Sequence, residues 1–236
     1  MRKPLIIAID GPAGAGKSTV AQLLALRLGL RYVDSGATYR AAALKAVEDH
    51  ISPDDEPSVV KVIAKTKIDL KPQPPGLRVL LDGRDVTEQI RSPEVTLAAA
   101  RISRLTGVRA KLVGLQRSFV REPGVVMEGR DIGTVVFPDA ALKIFLTARR
   151  EERARRRLSD EAGKGWEATL EQTAYEIGRR DQLDAERKIS PLLAAPDAFT
   201  IDSTALTADE VVERILEVAR EKHISLKGSN SGEAEG

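Results

Sequence analysis

Cysteine is absent from the 236 residues, which excludes disulfides, thiolate metal sites and a cysteine nucleophile, and fits a reducing compartment. Histidine is almost as scarce: His50 and His223 alone cannot build a histidine-rich metal cluster. Aromatic residues make up 3% of the chain, too few for the base-stacking platforms that hold single-stranded nucleic acid. Neither sign of charge dominates, because 37 basic side chains face 35 acidic ones and leave a net charge of +2. A nucleic-acid footprint would need a larger basic excess, so the question becomes where the arginines cluster. Long apolar runs are missing too. The run after Met1-Arg2-Lys3-Pro4 stops at Asp10, too short for a signal peptide, and no run approaches a membrane span. The sequence reads as soluble and cytoplasmic, with no nucleic-acid or membrane partner.

Apolar residues make up 42% of the chain, enough to bury a sizeable core in one large α/β domain with a small insert. Short runs that are apolar nearly throughout recur at Leu5–Ile9, Val125–Met127, Leu142–Leu146 and Ala198–Ile201, and a further strand is expected around Arg31–Val33. Such strands are expected when helices cover both faces of a parallel sheet. Helical patterns lie between or after them, at Lys17–Gly29, Ala37–Glu48, Pro93–Arg104, Val108–Arg121, Glu151–Ala162, Leu170–Glu186 and Ala208–Lys222. Gly29 stands where a C-cap glycine belongs, and Thr207 with Glu210 forms a capping box. The alternation predicts a doubly wound fold with a five-stranded parallel sheet.

One stretch breaks the alternation. Between about Ser52 and Ser92 come Pro72, Pro74 and Pro75, then Leu77–Leu81, Asp82-Gly83 and Arg84–Val86. Asp-Gly between two short runs signals a hairpin, so this stretch predicts a small antiparallel insert. The expected organisation is one domain over residues 1–226, with a core of about 1–50 and 93–226 and an insert of about 52–92. A lid of about 149–166 completes it, followed by a disordered Gly/Ser/Glu-rich tail at 227–236.

Gly11-Pro12-Ala13-Gly14-Ala15-Gly16-Lys17-Ser18, with Thr19 after it, matches the phosphate-loop pattern G-x-x-x-x-G-K-S. An apolar strand precedes it and an amphipathic helix follows. Glycines let successive N–H groups face phosphate oxygens, and the helix N-terminus adds partial positive charge. Lys17 would reach the β- and γ-phosphates of ATP, and Ser18 would offer its hydroxyl to Mg²⁺.

Phosphate loops serve switches and kinases alike. Thr66-Lys67-Ile68-Asp69 matches the guanine-reading T-K-x-D pattern, but no D-x-x-G lies between it and the loop. The D-x-x-G at Asp160–Gly163 follows it in a charged helical segment, so Thr66–Asp69 reads as part of the insert. Two glycine-flanked constellations favour a kinase instead. Asp34–Arg40 and Gly129–Thr134 each follow a predicted strand, at the edge where α/β sheets bind ligands, and each carries an arginine.

Residues 149–157 hold six arginines. Arg149, Arg150 and Arg155 read as a solvated face, whereas Arg153, Arg156 and Arg157 share a helical face and could close on a triphosphate. In a second cluster Arg180, Asp184 and Arg187 fall on one helix side. Its spacing fits an ion-pair ladder as well as it fits a sugar- and phosphate-binding set.

Together these elements resemble bacterial cytidylate kinases over nearly the whole chain, Leu5 to about His223. The resemblance is carried by Gly11–Thr19, Asp34-Ser35-Gly36-Ala37-x-Tyr39-Arg40, the insert ending Leu81–Val86, Val108-Arg109, Glu128–Asp139, and Arg180-Asp181-x-x-Asp184-x-x-Arg187 before Ser190-Pro191-Leu192. It implies an ATP- and Mg²⁺-dependent transfer to CMP and dCMP by a monomer with a nucleotide-binding insert and an arginine-rich lid. Ser35, Arg109 and Asp131 would lie around the cytosine, Arg180 and Asp184 would bind the sugar, and Arg40, Arg130 and Arg187 would take the acceptor phosphate. Tyr39 would also belong to the substrate site. Lys17, Arg130, Arg153, Arg157 and Arg187 would neutralise charge during transfer. Ala100 stands where family members often place a serine, with Ser103 one turn away. The alternatives are a kinase for UMP or another small acceptor, and a nucleotide-dependent switch.

Overall fold

The computed structural model describes residues 3–73, 76–162, 169–187 and 189–226. In chain order the elements are β1 (Leu5–Asp10), α1 (Lys17–Leu28), β2 (Arg31–Asp34), α2 (Ser35–Glu48), α3 (Glu56–Lys65), β3 (Ile68–Gln73), β4 (Gly76–Leu81) and β5 (Arg84–Asp85). Then come α4 (Pro93–Ile102), α5 (Thr106–Ser118), β6 (Gly124–Gly129), β7 (Leu142–Thr147), α6 (Arg150–Ala162), α7 (Leu170–Ala185), β8 (Phe199–Asp202) and α8 (Ala208–Glu221). A single 3₁₀ turn at Gln89–Arg91 and a π-type turn at Ile132–Val136 punctuate the chain. The strands form a five-stranded parallel sheet in the order β2-β6-β1-β7-β8 and a three-stranded antiparallel sheet in the order β3-β4-β5. The expected α/β architecture and its antiparallel insert are therefore present.

The chain divides into two compact units, Met1–Leu30 with Glu122–Gly236, and Arg31–Arg121. In the first, β1 pairs with β6 and β7 in parallel, and β7 pairs with β8. β6 is buried along its whole length, the condition that demands an unbroken apolar run rather than an alternating one. Helix α1 packs against β6 and α8. It ends at Gly29 in the left-handed conformation, with the expected capping bonds to Ala25 and Leu26. The Thr207/Glu210 capping box is formed, and a second, Thr169/Gln172, starts α7.

In the second unit α2 is the central helix. Its buried Ala41, Ala42, Ala43 and Ala46 have no long side chains, which lets α4 approach closely. It starts two residues before the expected Ala37, because the Asp34 carboxylate accepts the N–H of Ala37 and caps it. The Asp82-Gly83 turn has φ of 51° and 87°, the two positive angles of the hairpin turn that joins β4 to β5. Pro72 sits in β3, at the sheet edge where no ladder donor is needed. Thr66–Asp69 spans the end of α3 and the start of β3, inside the insert as expected. Helix α3 itself is an addition to the sequence reading. Asp55 caps it, Pro57 stands in its first turn, and Val59 and Ile63 are buried one turn apart.

Arg149, Arg150 and Arg155 are exposed, as expected of a solvated face. The lid expected at about 149–166 begins as α6, and its residues 163–166 lie outside the described residues, as does the tail at 227–236. Among the described residues no helix is long and apolar enough to cross a membrane.

Candidate active site

Strand β1 delivers the chain into the glycine-rich loop, and α1 begins at Lys17. Gly16 precedes it with φ of 88°, and no side chain among the described residues caps the helix, so its first N–H groups are left for another acceptor. Lys17 is buried, and its Nζ donates to the Pro12 carbonyl at 2.7 Å. Burial, then the guanidiniums of Arg130 and Arg180, push its ammonium down to about 7, while Glu128 and Asp10 hold it up. A depressed lysine in a field of arginines is short of negative charge, which phosphates would supply. Ser18 and Thr19 are exposed at the mouth of the loop.

Arg153, buried on α6, closes over this loop. Its Nη1 donates to the Ala13 carbonyl at 3.0 Å, its Nε donates to the Ala148 carbonyl at 2.9 Å, and Nη1 pairs with Asp181 at 2.7 Å. The approach is so tight that a Cβ on Gly14, where φ is 76°, would lie 2.8 Å from the Arg153 carbonyl oxygen. Arg156, on the same face, donates to the Ser203 hydroxyl at 3.0 Å and carbonyl at 2.6 Å. The Ser203 hydroxyl lies 3.1 Å from the Ala15 carbonyl, which braces the loop from its other side. Arg157 is half-buried beside them.

The second arginine cluster meets in the same unit. Asp184, near the end of α7, accepts from Arg130 Nε at 3.0 Å through one oxygen and pairs with Arg187 through the other. Burial opposes ionisation of Asp184, but Arg130, Arg187 and Arg180 outweigh it and hold the carboxyl below its usual range. Arg130 and Asp131 open the turn after β6, and Asp131 is buried. Asp10 takes both amides that follow them, as its Oδ1 accepts from Ile132 at 2.8 Å and its Oδ2 from Gly133 at 2.7 Å. Burial pushes its carboxyl up to about 6, with Asp131 adding to the rise and the two amides and Lys17 opposing it.

The remaining predicted residues form a set of their own in the second unit. Asp34 Oδ2 holds Arg40 Nη2 at 2.5 Å, and the two bracket Gly36. Burial opposes the Asp34 charge, and Arg40 and Arg91 overcome it to keep the carboxyl low. Arg109 is buried with its guanidinium 5.8 Å from the centre of the Tyr39 ring, and its Nη1 donates to the Ser103 carbonyl at 3.1 Å. Ser103 in turn donates to the Ala100 carbonyl at 2.9 Å, and Ala100 is exposed. Ser35 is buried, and its carbonyl accepts from Thr38, which accepts from Gln116 at 3.0 Å.

Sequence reasoning found the cations and missed what holds them. Asp34 fixing Arg40, Asp181 fixing Arg153 and Ser203 fixing Arg156 were not singled out. Asp10, which holds the amides of Ile132 and Gly133, was not singled out either. A carboxylate immediately before a glycine-rich phosphate loop was the available signal.

A parallel sheet with a phosphate loop after its first strand, a buried lysine in that loop and arginines gathered around an acidic residue define a P-loop kinase. The family model for cytidylate kinase matches residues 7–221, and the chain belongs to that family. The cytidylate kinase of Pelotomaculum thermopropionicum is 52% identical over 211 residues, 89% of this chain and 93% of its own. That of Caldicellulosiruptor bescii is 48% identical over 216 residues, 92% and 96% of the two chains. Among solved structures, the shikimate kinase of Acinetobacter baumannii covers 93% of this chain and 95% of its own, at 16% identity and a TM-score of 0.46.

Proposed function

We propose that the protein transfers the γ-phosphoryl group of ATP to CMP, and to dCMP as a second acceptor, giving ADP and CDP or dCDP. The observation that carries this reading is the presence, within one unit, of a buried Lys17 in the phosphate loop and of Arg130 and Arg187 held on the two oxygens of Asp184. A donor triphosphate would meet Lys17, and an acceptor phosphate would meet Arg130 and Arg187. Membership of the cytidylate kinase family names the acceptor.

The acceptor phosphate oxygen is already anionic, so no general base is needed. Its oxygen forms a bond to the γ-phosphorus as the bond from that phosphorus to the β,γ-bridging oxygen breaks, and the leaving electrons stay on ADP. The protein's work is positioning and neutralising charge. Lys17 and the uncapped start of α1 hold the β- and γ-phosphates, with residues Gly11–Thr19 around them. Arg153 and Arg157 act on the transferring group. Arg40, Arg130 and Arg187 hold the acceptor phosphate, and Asp184 with Arg180 holds the sugar.

Ser35, Arg109 and Asp131 recognise the base, and the Tyr39 ring backs the Arg109 guanidinium. Asp131 accepts from the cytosine amino group, and Arg109 donates to the ring nitrogen and carbonyl. Uracil offers a carbonyl where cytosine offers the amine, which would leave Asp131 facing like polarity.

Mg²⁺ fits the donor set. The exposed Ser18 hydroxyl is a hard oxygen ligand, and among the described residues there is no cluster of three or more His, Asp or Glu that would suit a metal held by protein alone. The ion would neutralise phosphate charge when bound with ATP. The enzyme is read as a cytoplasmic monomer.

The test is ADP release from Mg·ATP with CMP, dCMP, UMP, AMP and GMP offered separately. Stimulation by CMP and dCMP alone is expected. Equal stimulation by UMP would overturn the base assignment while leaving a kinase. Slow hydrolysis that no acceptor stimulates would replace the kinase with a nucleotide switch.

A further inference from the structure

Asp10 is the last residue of β1 and stands one position before the phosphate loop, and its carboxylate reaches across to the turn that follows β6. Both oxygens are committed to consecutive backbone N–H groups, Ile132 at 2.8 Å and Gly133 at 2.7 Å. In the parallel pairing of β1 with β6, the Cα partner of Asp10 is Gly129. Arg130 and Asp131 are therefore the two residues strung between a ladder position beside Asp10 and amides held by its side chain. Arg130 leaves this short span to donate to Asp184.

Burying a carboxylate is costly, and a neutral side chain would serve if one hydrogen bond were enough. An ionised carboxylate alone accepts from two adjacent amides with no hydrogen of its own in the way. Asparagine would keep one acceptor and turn an NH₂ donor against the other N–H.

We infer that Asp10 is a positioning residue for acceptor recognition: the strand that feeds the phosphate loop uses its terminal carboxylate to fix the Arg130-Asp131 turn. This inference rests on the cytidylate kinase reading. Asp10 acts through Arg130 and Asp131, because each of its two oxygens accepts from a backbone amide just past them. Removing it loosens the grip on CMP far more than the grip on ATP. It also weakens the choice between CMP and UMP, because Asp131 no longer has a fixed place.

The experiment compares wild type, Asp10→Asn and Asp10→Glu by KM for each substrate, kcat, the CMP-to-UMP ratio of kcat/KM, thermal melting, and amide exchange at Ile132 and Gly133. In the wild type both amides should be strongly protected. In Asp10→Asn the Gly133 or Ile132 amide should exchange faster. KM for CMP should rise about 10-fold or more, the loss expected for a buried hydrogen bond to a charged group, while KM for ATP moves less than about 3-fold. The CMP-to-UMP ratio should fall. Asp10→Glu, with its charge kept but its reach changed, should show the same pattern.

Equal losses for ATP and CMP at an unchanged CMP-to-UMP ratio would reduce Asp10 to a stabilising residue and overturn the inference. So would an unchanged KM for CMP, or rapid exchange of both amides in the wild type. A wild-type enzyme that CMP does not stimulate would fail the functional reading instead, and the exchange data would still judge the anchor.

Discussion

Arg153 Nη1 lies 3.0 Å from the carbonyl oxygen of Ala13, so the arginine-rich helix α6 is fastened directly to the crown of the phosphate loop. Asp181 on α7 holds the same guanidinium from the other side at 2.7 Å. Three elements of one unit thus meet at a single buried cation. A loop that must present its amides to phosphates is held in shape before any phosphate arrives.

Gly14→Ala tests that fastening. The added methyl would lie 2.8 Å from the Arg153 carbonyl, on a residue whose φ of 76° disfavours any side chain. The variant should lose about 1–3 kcal/mol of stability from the strained backbone and crowding, and its KM for ATP should rise more than its KM for CMP. Denaturant melts and steady-state kinetics give both numbers. An unchanged melt with normal ATP affinity would show that α6 yields freely.

Lys17→Met should separate function from stability. Burial and the neighbouring arginines push the ammonium down to about 7, so its charged form is held in the fold at a cost. The neutral methionine of similar length should therefore raise the melting temperature at neutral pH. Turnover should fall below about a tenth of wild type, because the β- and γ-phosphates lose their cation. A variant that keeps its activity, or one that melts lower, contradicts one half of the argument.

Asp131→Asn should narrow the preference for CMP over UMP, since an amide can donate to the uracil carbonyl that a carboxylate repels. The measurement is kcat/KM for the two acceptors in parallel. An unchanged ratio would remove Asp131 from base recognition.

Asp10 predicts a pH dependence whose sign follows from burial. Its carboxyl rises from 3.8 to about 6 on folding, facing Asp131 and Lys17. A raised pKa contributes stability that is fully present below about 3.8 and is lost as pH climbs through about 6. Asp10→Asn does not titrate. The stability difference between wild type and variant should therefore drift in the variant's favour by on the order of 3 kcal/mol between about pH 4 and pH 7. Urea melts across that range read the drift, and a flat difference would mean that the carboxyl titrates normally.

Gly36→Ala probes the second unit. A Cβ there would lie 3.0 Å from Asp34 Oδ1 and 3.1 Å from Arg40 Nη1. Because Asp34 both caps α2 and holds Arg40, the crowding should raise KM for CMP several-fold, about the effect of displacing one charged hydrogen bond. It should leave KM for ATP near wild type. Equal effects on both substrates would argue that Arg40 does not serve the acceptor.

What the sequence determined by itself is everything carried by neighbours in the chain. The phosphate loop and the start of α1 followed from glycine spacing, the Gly29 stop from its left-handed φ, the β4–β5 hairpin from Asp82-Gly83, and the parallel sheet from unbroken apolar runs. Even α3 was encoded locally, by Asp55, Pro57 and the Val59/Ile63 pair, although the three prolines further on drew the reading toward strands.

The tertiary structure alone decided which carboxylate meets which arginine. Helical spacing put Arg180, Asp184 and Arg187 on one side of a helix, yet Arg187 lies just past the end of α7, and Asp184 takes a further partner, Arg130, from the end of β6. Spacing likewise could not say that Asp10 would grip the amides of Ile132 and Gly133. Backbone sterics and capping act over a few residues and leave a mark in the local pattern. A charge or an amide far along the chain is brought near only by strand order and loop closure, and those depend on the whole core having formed.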